Sequence, residues 1–135
     1  MMTGSHSPTL FLLFNHALTA DQEADARSSL GIDRIVPAPQ AIQVIWSNVP
    51  PDLEELTEYL KPVYTWLADT AEPNDFILVQ GDFGATCLIA DFTQAQGLQP
   101  VYSTTVREAA EDHLPDGSVL TVHRFKHRMF RHYKR

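Results

Sequence analysis

The chain has 135 residues, a hydrophobic fraction of 44% and a net charge of -7, which fits one globular domain with its own core. No apolar run approaches the roughly 20 residues of a membrane span, and the short run Leu10 to Phe14 lacks the charged flank of a secretory signal, so a soluble cytoplasmic protein is expected. The single cysteine, Cys87, excludes an intramolecular disulfide and any multi-cysteine zinc site; in an apolar helical setting it reads as a small buried filler.

Residues 1–8 read as a disordered N-terminus and residues 9–135 as the domain. Thr9 to Phe14 is a continuous apolar strand that Asn15 and His16 end. Thr19 caps a helix over Ala20 to Leu30, with Gln22 at capping-box spacing, and Gly31 stops it. Asp33 to Pro37 is a short strand, and Ala38 to Trp46 a short helix whose Ile42 and Ile45 share a face. From Pro51 or Asp52 the spacing of Leu53, Leu56 and Leu60 predicts a long helix, which Pro62 kinks or divides from a second piece, Val63 to Ala71. Glu72 to Asp75 is a turn.

Phe76 to Val79 suits a strand buried on both faces of a parallel sheet. A loop with two glycines, Gln80-Gly81-Asp82-Phe83-Gly84, joins it to a helix reaching about Gln96, which Gly97 ends. Leu98 to Tyr102 is a fourth strand. Thr104 or Thr105 then begins a helix over Val106 to His113, Pro115-Asp116-Gly117 turns the chain, and Ser118 to about Phe130 is a final strand. The alternation predicts a single α/β domain with a mostly parallel sheet and helices on both faces. Three strands then end on one edge in ligand-type residues: Asn15-His16, Gln80 to Asp82, and Ser103 to Thr105. In open α/β sheets that edge is where small molecules bind.

Six of the ten basic residues, Arg124, Lys126, Arg128, Arg131, Lys134 and Arg135, fall in the last 12 positions, so residues 1–123 carry a net -13 and the tail +6. An acidic body argues against wrapping a long nucleic acid. A local basic patch still serves a short anion, or balances an acidic partner.

Gly81 and Gly84 allow a tight turn and a close ligand approach, and the amides opening the next helix favour anions. The loop is neither a dinucleotide fingerprint nor a P-loop, and its Asp-Phe-Gly matches a kinase tripeptide by letters only; a plain strand-to-helix turn is the competing reading. Ser103-Thr104-Thr105-x-Arg107 places hydroxyls and a guanidinium at a helix start, the donors a phosphate needs, or else forms a simple cap. His16 is a candidate general acid or base or a structural hydrogen-bonder. His123 and His127, four apart on a strand, stand about 13 Å apart at ~3.3 Å per residue, too far to share an ion, so no metal site is expected. The aromatic and cationic residues of this last strand stack a base or form a dimer edge.

With these residues in view, the chain resembles the small CRISPR-associated proteins of type III systems that act as standalone ring nucleases. The stretches that carry the resemblance are Phe14-Asn15-His16-x-Leu18-Thr19, Trp46-Ser47-Asn48-x-Pro50-Pro51, Val79 to Gly84, Tyr102-Ser103-Thr104-Thr105-x-Arg107-Glu108 and His123-x-Phe125-Lys126-His127-x-x-Phe130. The resemblance implies a Rossmann-like sensor fold related to the CRISPR-associated CARF domains. It implies a homodimer without cofactor that binds cyclic oligoadenylate, most of all the tetra-adenylate. It also implies cleavage without metal: a ribose 2′-hydroxyl attacks the adjacent phosphorus and expels the 5′-oxygen. On that basis His16 is the candidate acid or base and Arg107 neutralises the phosphate. Gly81, Asp82, Phe83 and Gly84, with Ser103, Thr104 and Thr105, cradle phosphate and ribose; Asp82 accepts a ribose hydroxyl or fixes Arg107. Asn15 and Gln80 bond base or ribose, and Lys126 and His127 close the site from the tail. A non-catalytic sponge, a sensor acting on a partner, and a plain nucleic-acid binder are the competing classes.

Overall fold

A computed structural model describes residues 7–134. The elements in chain order are β1 (Thr9–Leu13), α1 (Ala20–Ser29), β2 (Arg34–Pro37), α2 (Gln40–Ser47), α3 (Lys61–Thr70), β3 (Phe76–Val79), α4 (Phe83–Ala95), β4 (Gln99–His113) and β5 (Val119–His132). Of the N-terminus expected to be disordered, residues 1–6 lie outside the described residues. Pro8 is tied down, its carbonyl accepting the Asp33 amide at 3.0 Å.

The strands form one sheet in the order β2-β1-β3-β4-β5. The first four are mutually parallel and β5 runs antiparallel to β4, so the chain is an α/β protein with a mostly parallel sheet. Strand alternation sends Phe11, Leu13, Ile77 and Val79 to one face, where they pack with Ile42, Trp46, Val63, Leu67 and Ile89 of α2, α3 and α4. Leu10, Leu78 and Val101 point the other way, onto Ala26 of α1, Ile32 and Phe130. Helices thus cover both faces, which is why the short central strands are apolar throughout. Asp75 pins the entry edge: it is buried, and its carboxylate accepts the amides of Thr9 and Glu72, each at 2.9 Å.

Two expected helices are not helices. Residues 51–60 form turns, and α3 starts at Lys61 with Pro62 in its first turn. A proline there has no amide bond to lose and a φ already suited to the helix, so it marks a beginning and not a kink. Val106 to His113, expected as a helix, is the outer half of β4. Its pairing with β5 runs without interruption from Thr105↔His127 to His113↔Val119. The Pro115-Asp116-Gly117 turn closes this ribbon: the Gly117 amide bonds the Leu114 carbonyl at 3.0 Å, with Gly117 at φ 88°. Cross-strand Glu108↔Arg124 and the Arg124–Asp112 ion pair at 3.3 Å add opposite-charge contacts. Cys87, expected to be buried, is exposed. On α4 the buried stripe is Ala85, Ile89, Ala90 and Thr93, and position 87 falls outside it.

Candidate functional site

The parallel pairing of β1, β3 and β4 brings their carboxyl ends together on one edge. Gln80, just beyond β3, reaches across to β4, where its Oε1 accepts the Ser103 amide at 2.7 Å. Because β4 is a continuous strand, Ser103 and Tyr102 face opposite sides of the sheet.

On the α1 side, Ser103 belongs to a chain of polar contacts. Thr19 and Gln22 form the capping box of α1: the Thr19 hydroxyl accepts the Gln22 amide at 3.1 Å, and Gln22 Oε1 accepts the Thr19 amide at 2.9 Å. That fixes which way the Gln22 carboxamide points, and its Nε2 donates to Ser103 Oγ at 3.3 Å. Ser103 Oγ lies 2.5 Å from His127 Nδ1, and His127 Nε2 lies 2.7 Å from Asp25 Oδ2. The other Asp25 oxygen accepts the Ser29 hydroxyl at 2.5 Å. The His127 side chain is 5% exposed. Burial works to raise the Asp25 carboxyl, but hydrogen bonds from Ser29 and His127 and the charges of His127 and Arg128 outweigh it, holding it below the ordinary value of 3.8. When the imidazole is neutral, an ionised Asp25 draws its one proton to Nε2 and leaves Nδ1 to accept from the Ser103 hydroxyl; when it is charged, Nδ1 donates instead. Ser103 and His127 were expected at the site. Asp25 was not, because it stands 102 positions from His127 in sequence. The available signal was α1 itself: Gln22, Asp25 and Ser29 repeat at helical spacing where a core-facing helix would carry apolar residues.

On the other side, a cavity of about 610 Å³ opens between α4 and the sheet edge, lined by Gly81, Phe83, Thr86, Cys87, Tyr102 and Tyr133 among others. The Tyr102 and Tyr133 rings lie 4.9 Å apart. Arg131 donates to the Tyr102 hydroxyl at 2.8 Å and sits over its ring, 5.5 Å from the centroid. The Tyr133 hydroxyl donates to the Val79 carbonyl at 2.6 Å; burial, with Tyr102 and Cys87 nearby, pushes its phenol up to about 12. Thr86 Oγ1 is buried without a hydrogen-bond partner among the described residues. Phe83, at the first turn of α4, is 95% exposed.

The glycine loop is shaped by the protein as much as by any ligand. A Cβ on Gly81 would stand 2.7 Å from Trp46 Nε1, and that indole donates to the Gln80 carbonyl at 2.8 Å. Gly81 is therefore needed where α2 packs on the loop. Asp82 caps α4, its Oδ2 accepting the Ala85 amide at 3.0 Å, so a carboxylate already occupies the helix mouth expected to favour an anion. It neither reaches for Arg107 nor stands free.

The remaining candidates do not share one pocket. Asn15 and His16 line a separate cavity of about 480 Å³ with Pro37, Gln43 and Ser47. His16 is exposed and meets Phe14 edge-on at 5.4 Å, while Asn15 Oδ1 accepts the Ser47 hydroxyl at 3.0 Å. Ser103, Thr104 and Thr105 do not open a helix: Thr104 bonds the Met129 carbonyl at 3.1 Å. Arg107 pairs with Phe125 out on the ribbon, about 13 Å beyond Ser103 at ~3.3 Å per residue. Lys126 pairs with Val106 and alternates to the face opposite His127. Among the described residues no group of three or more His, Cys, Asp or Glu side chains gathers where a metal ion could be held, and no helix is long and apolar enough to cross a membrane.

The chain is similar to the protein described as "Uncharacterized protein MJ1673" of Methanocaldococcus jannaschii, with 47% identity over 126 residues, 93% of this chain and 97% of the relative. No solved structure matches it. Over residues 8–131 it matches the family described as "Uncharacterized protein MJ1673 family", and the chain belongs to that family.

Proposed function

We propose that this protein is a Rossmann-like ring nuclease that opens cyclic oligoadenylate, the tetra-adenylate above all, and so ends type III CRISPR signalling. The reading is supported by the sequence stretches that resemble those nucleases. The observation that carries it is the placement of Ser103 at the carboxyl edge of the sheet, its amide held by Gln80 and its hydroxyl by His127. A hydroxyl beside an oriented imidazole suits attack by a neighbouring ribose 2′-oxygen, a reaction that gains mainly from in-line positioning and from donors at the crowded phosphorane. The cavity on the α4 side offers Tyr102, Tyr133 and Phe83 as faces for a base. Asn15 and His16 hold the ring further along the edge.

The active species in this reading is a cytoplasmic homodimer. The outer ribbon leaves Val106, Leu120 and Phe125 exposed, and a two-stranded ribbon alone is marginal in water, so the second copy covers it. Arg107 is too far along the ribbon to serve the Ser103 of its own chain and acts on the site of the partner.

Labelled cyclic tetra-adenylate, incubated with the protein and resolved by thin-layer chromatography, tests the reading against the sponge that shares its fold. Conversion to linear product supports the nuclease; ring returned intact from a stable complex contradicts it.

A further inference from the structure

We propose that Ser103 takes the proton from the attacking ribose 2′-hydroxyl as it hands its own to His127, with Asp25 fixing the imidazole for that transfer; this rests on the ring-nuclease reading above. His16 was the expected acid or base, yet it is exposed and its ring stands edge-on to Phe14. His127 has both ring nitrogens engaged, one on a hydroxyl at the sheet edge and one on a carboxylate.

The contact between α1 and the β4–β5 pair is unusual for a packed interface. Where an apolar stripe would suffice, α1 presents Gln22 to Ser103 and Asp25 to His127. Buried polar groups cost several kcal/mol of desolvation unless every partner is in place, and a buried ion pair is seldom better for stability than apolar side chains of the same volume. Here each partner is in place and their order is directional. The capping box orients Gln22, and Gln22 donates to Ser103 Oγ, which also lies 3.4 Å from the Thr104 carbonyl; with a neutral imidazole Ser103 donates to His127 and His127 donates to Asp25. Asp25 bonds the imidazole, Arg128 acts on Asp25, and Arg27 of α1 is committed to Glu23 and to the Asp33 carbonyl.

The step balances without a metal. The 2′-oxygen forms its bond to phosphorus as its proton passes to Ser103 Oγ and the Ser103 proton passes to His127 Nδ1. The bond from phosphorus to the 5′-oxygen breaks, that oxygen takes a proton from water, and the imidazolium returns its proton to the hydroxide so formed. The products are a 2′,3′-cyclic phosphate and a free 5′-hydroxyl. Ser103 touches the reacting atoms; His127 and Asp25 act through it.

The test compares wild type with Ser103→Ala, Asp25→Asn and His127→Gln on cyclic tetra-adenylate, with ring binding measured separately by calorimetry and kcat followed over about pH 5 to 9, where imidazoles titrate. Ser103→Ala and Asp25→Asn are expected, at saturating ring, to cut it about 10²- to 10⁴-fold more slowly, the range for losing an oriented base. His127→Gln is expected to lose the acid limb of the wild-type kcat profile, which a merely structural histidine would leave in place. Variants cutting within about threefold of wild type, a difference under roughly 1 kcal/mol, overturn the relay and leave the nuclease reading standing. Wild type that never cuts overturns that reading and the relay with it. Where Asp25→Asn fails to fold, Ser103→Ala, which removes a single oxygen, decides.

Discussion

Gly81 and Gly84 flank the same turn under different constraints. Gly81 meets the Trp46 indole and has no room for a methyl group, whereas a Cβ on Gly84 would make ordinary contacts of 3.5 and 3.6 Å. Gly81→Ala is expected to cost about 1–3 kcal/mol, as overpacking does. Gly84→Ala, inside α4, is expected to be neutral or to stabilise by up to about 1 kcal/mol. Urea denaturation of the two variants checks the contrast; equal effects would contradict it. Asp25 makes a pH prediction. Its folded carboxyl lies below its unfolded value of 3.8, so its contribution is complete above that value and is lost as pH falls below it. Wild type is therefore expected to lose more stability on acidification than Asp25→Asn, read from urea midpoints at neutral and acid pH. Tyr133 works in the opposite sense. Its phenol is raised from 10.0 to about 12, so its contribution is present below pH 10.0 and fades as pH rises through about 12. Burial also raises the Tyr64 phenol, so ultraviolet titration is expected to show late-ionising tyrosine of which Tyr133→Phe removes the part ionising at about 12.

Among the elements, those governed by local rules were legible in the sequence. The capping box sets the start of α1, and the run Phe76 to Val79 marks a strand covered on both faces. Val106 to His113 was not legible, because Glu108, Ala109, Ala110 and Glu111 are good helix formers and nothing local records that Val119 to Lys126 pairs with this segment. Tertiary pairing overrode propensity there, and the phosphate cradle expected at a helix start became one edge of a ribbon. Ser103 and His127 were both legible as ligand-type residues. Asp25, the partner of His127, was not, since that contact joins a helix and a strand from opposite ends of the chain. Beyond Thr105 and His127 the ribbon strands pair with each other. Replacing residues 107–125 with an Asn-Gly turn is expected to keep a cooperative thermal transition by circular dichroism and to yield a monomer in sedimentation. Loss of the transition would show that the sheet depends on the ribbon.

At the scale of the whole molecule, a body of net -13 with a basic last strand suits a short ligand held by a few cations, since long nucleic acid binds through many phosphates and loses affinity steeply with salt. Cyclic tetra-adenylate is accordingly expected to bind with a shallow salt dependence and long RNA weakly or not at all, read by fluorescence titration across salt concentrations. The proposed reaction is placed at Ser103, on the carboxyl edge of the sheet. The most direct measurement is incubation of the purified protein with cyclic tetra-adenylate in excess EDTA, with products identified by mass spectrometry. The account predicts linear fragments ending in a 2′,3′-cyclic phosphate; a ring of unchanged mass after prolonged incubation would contradict it.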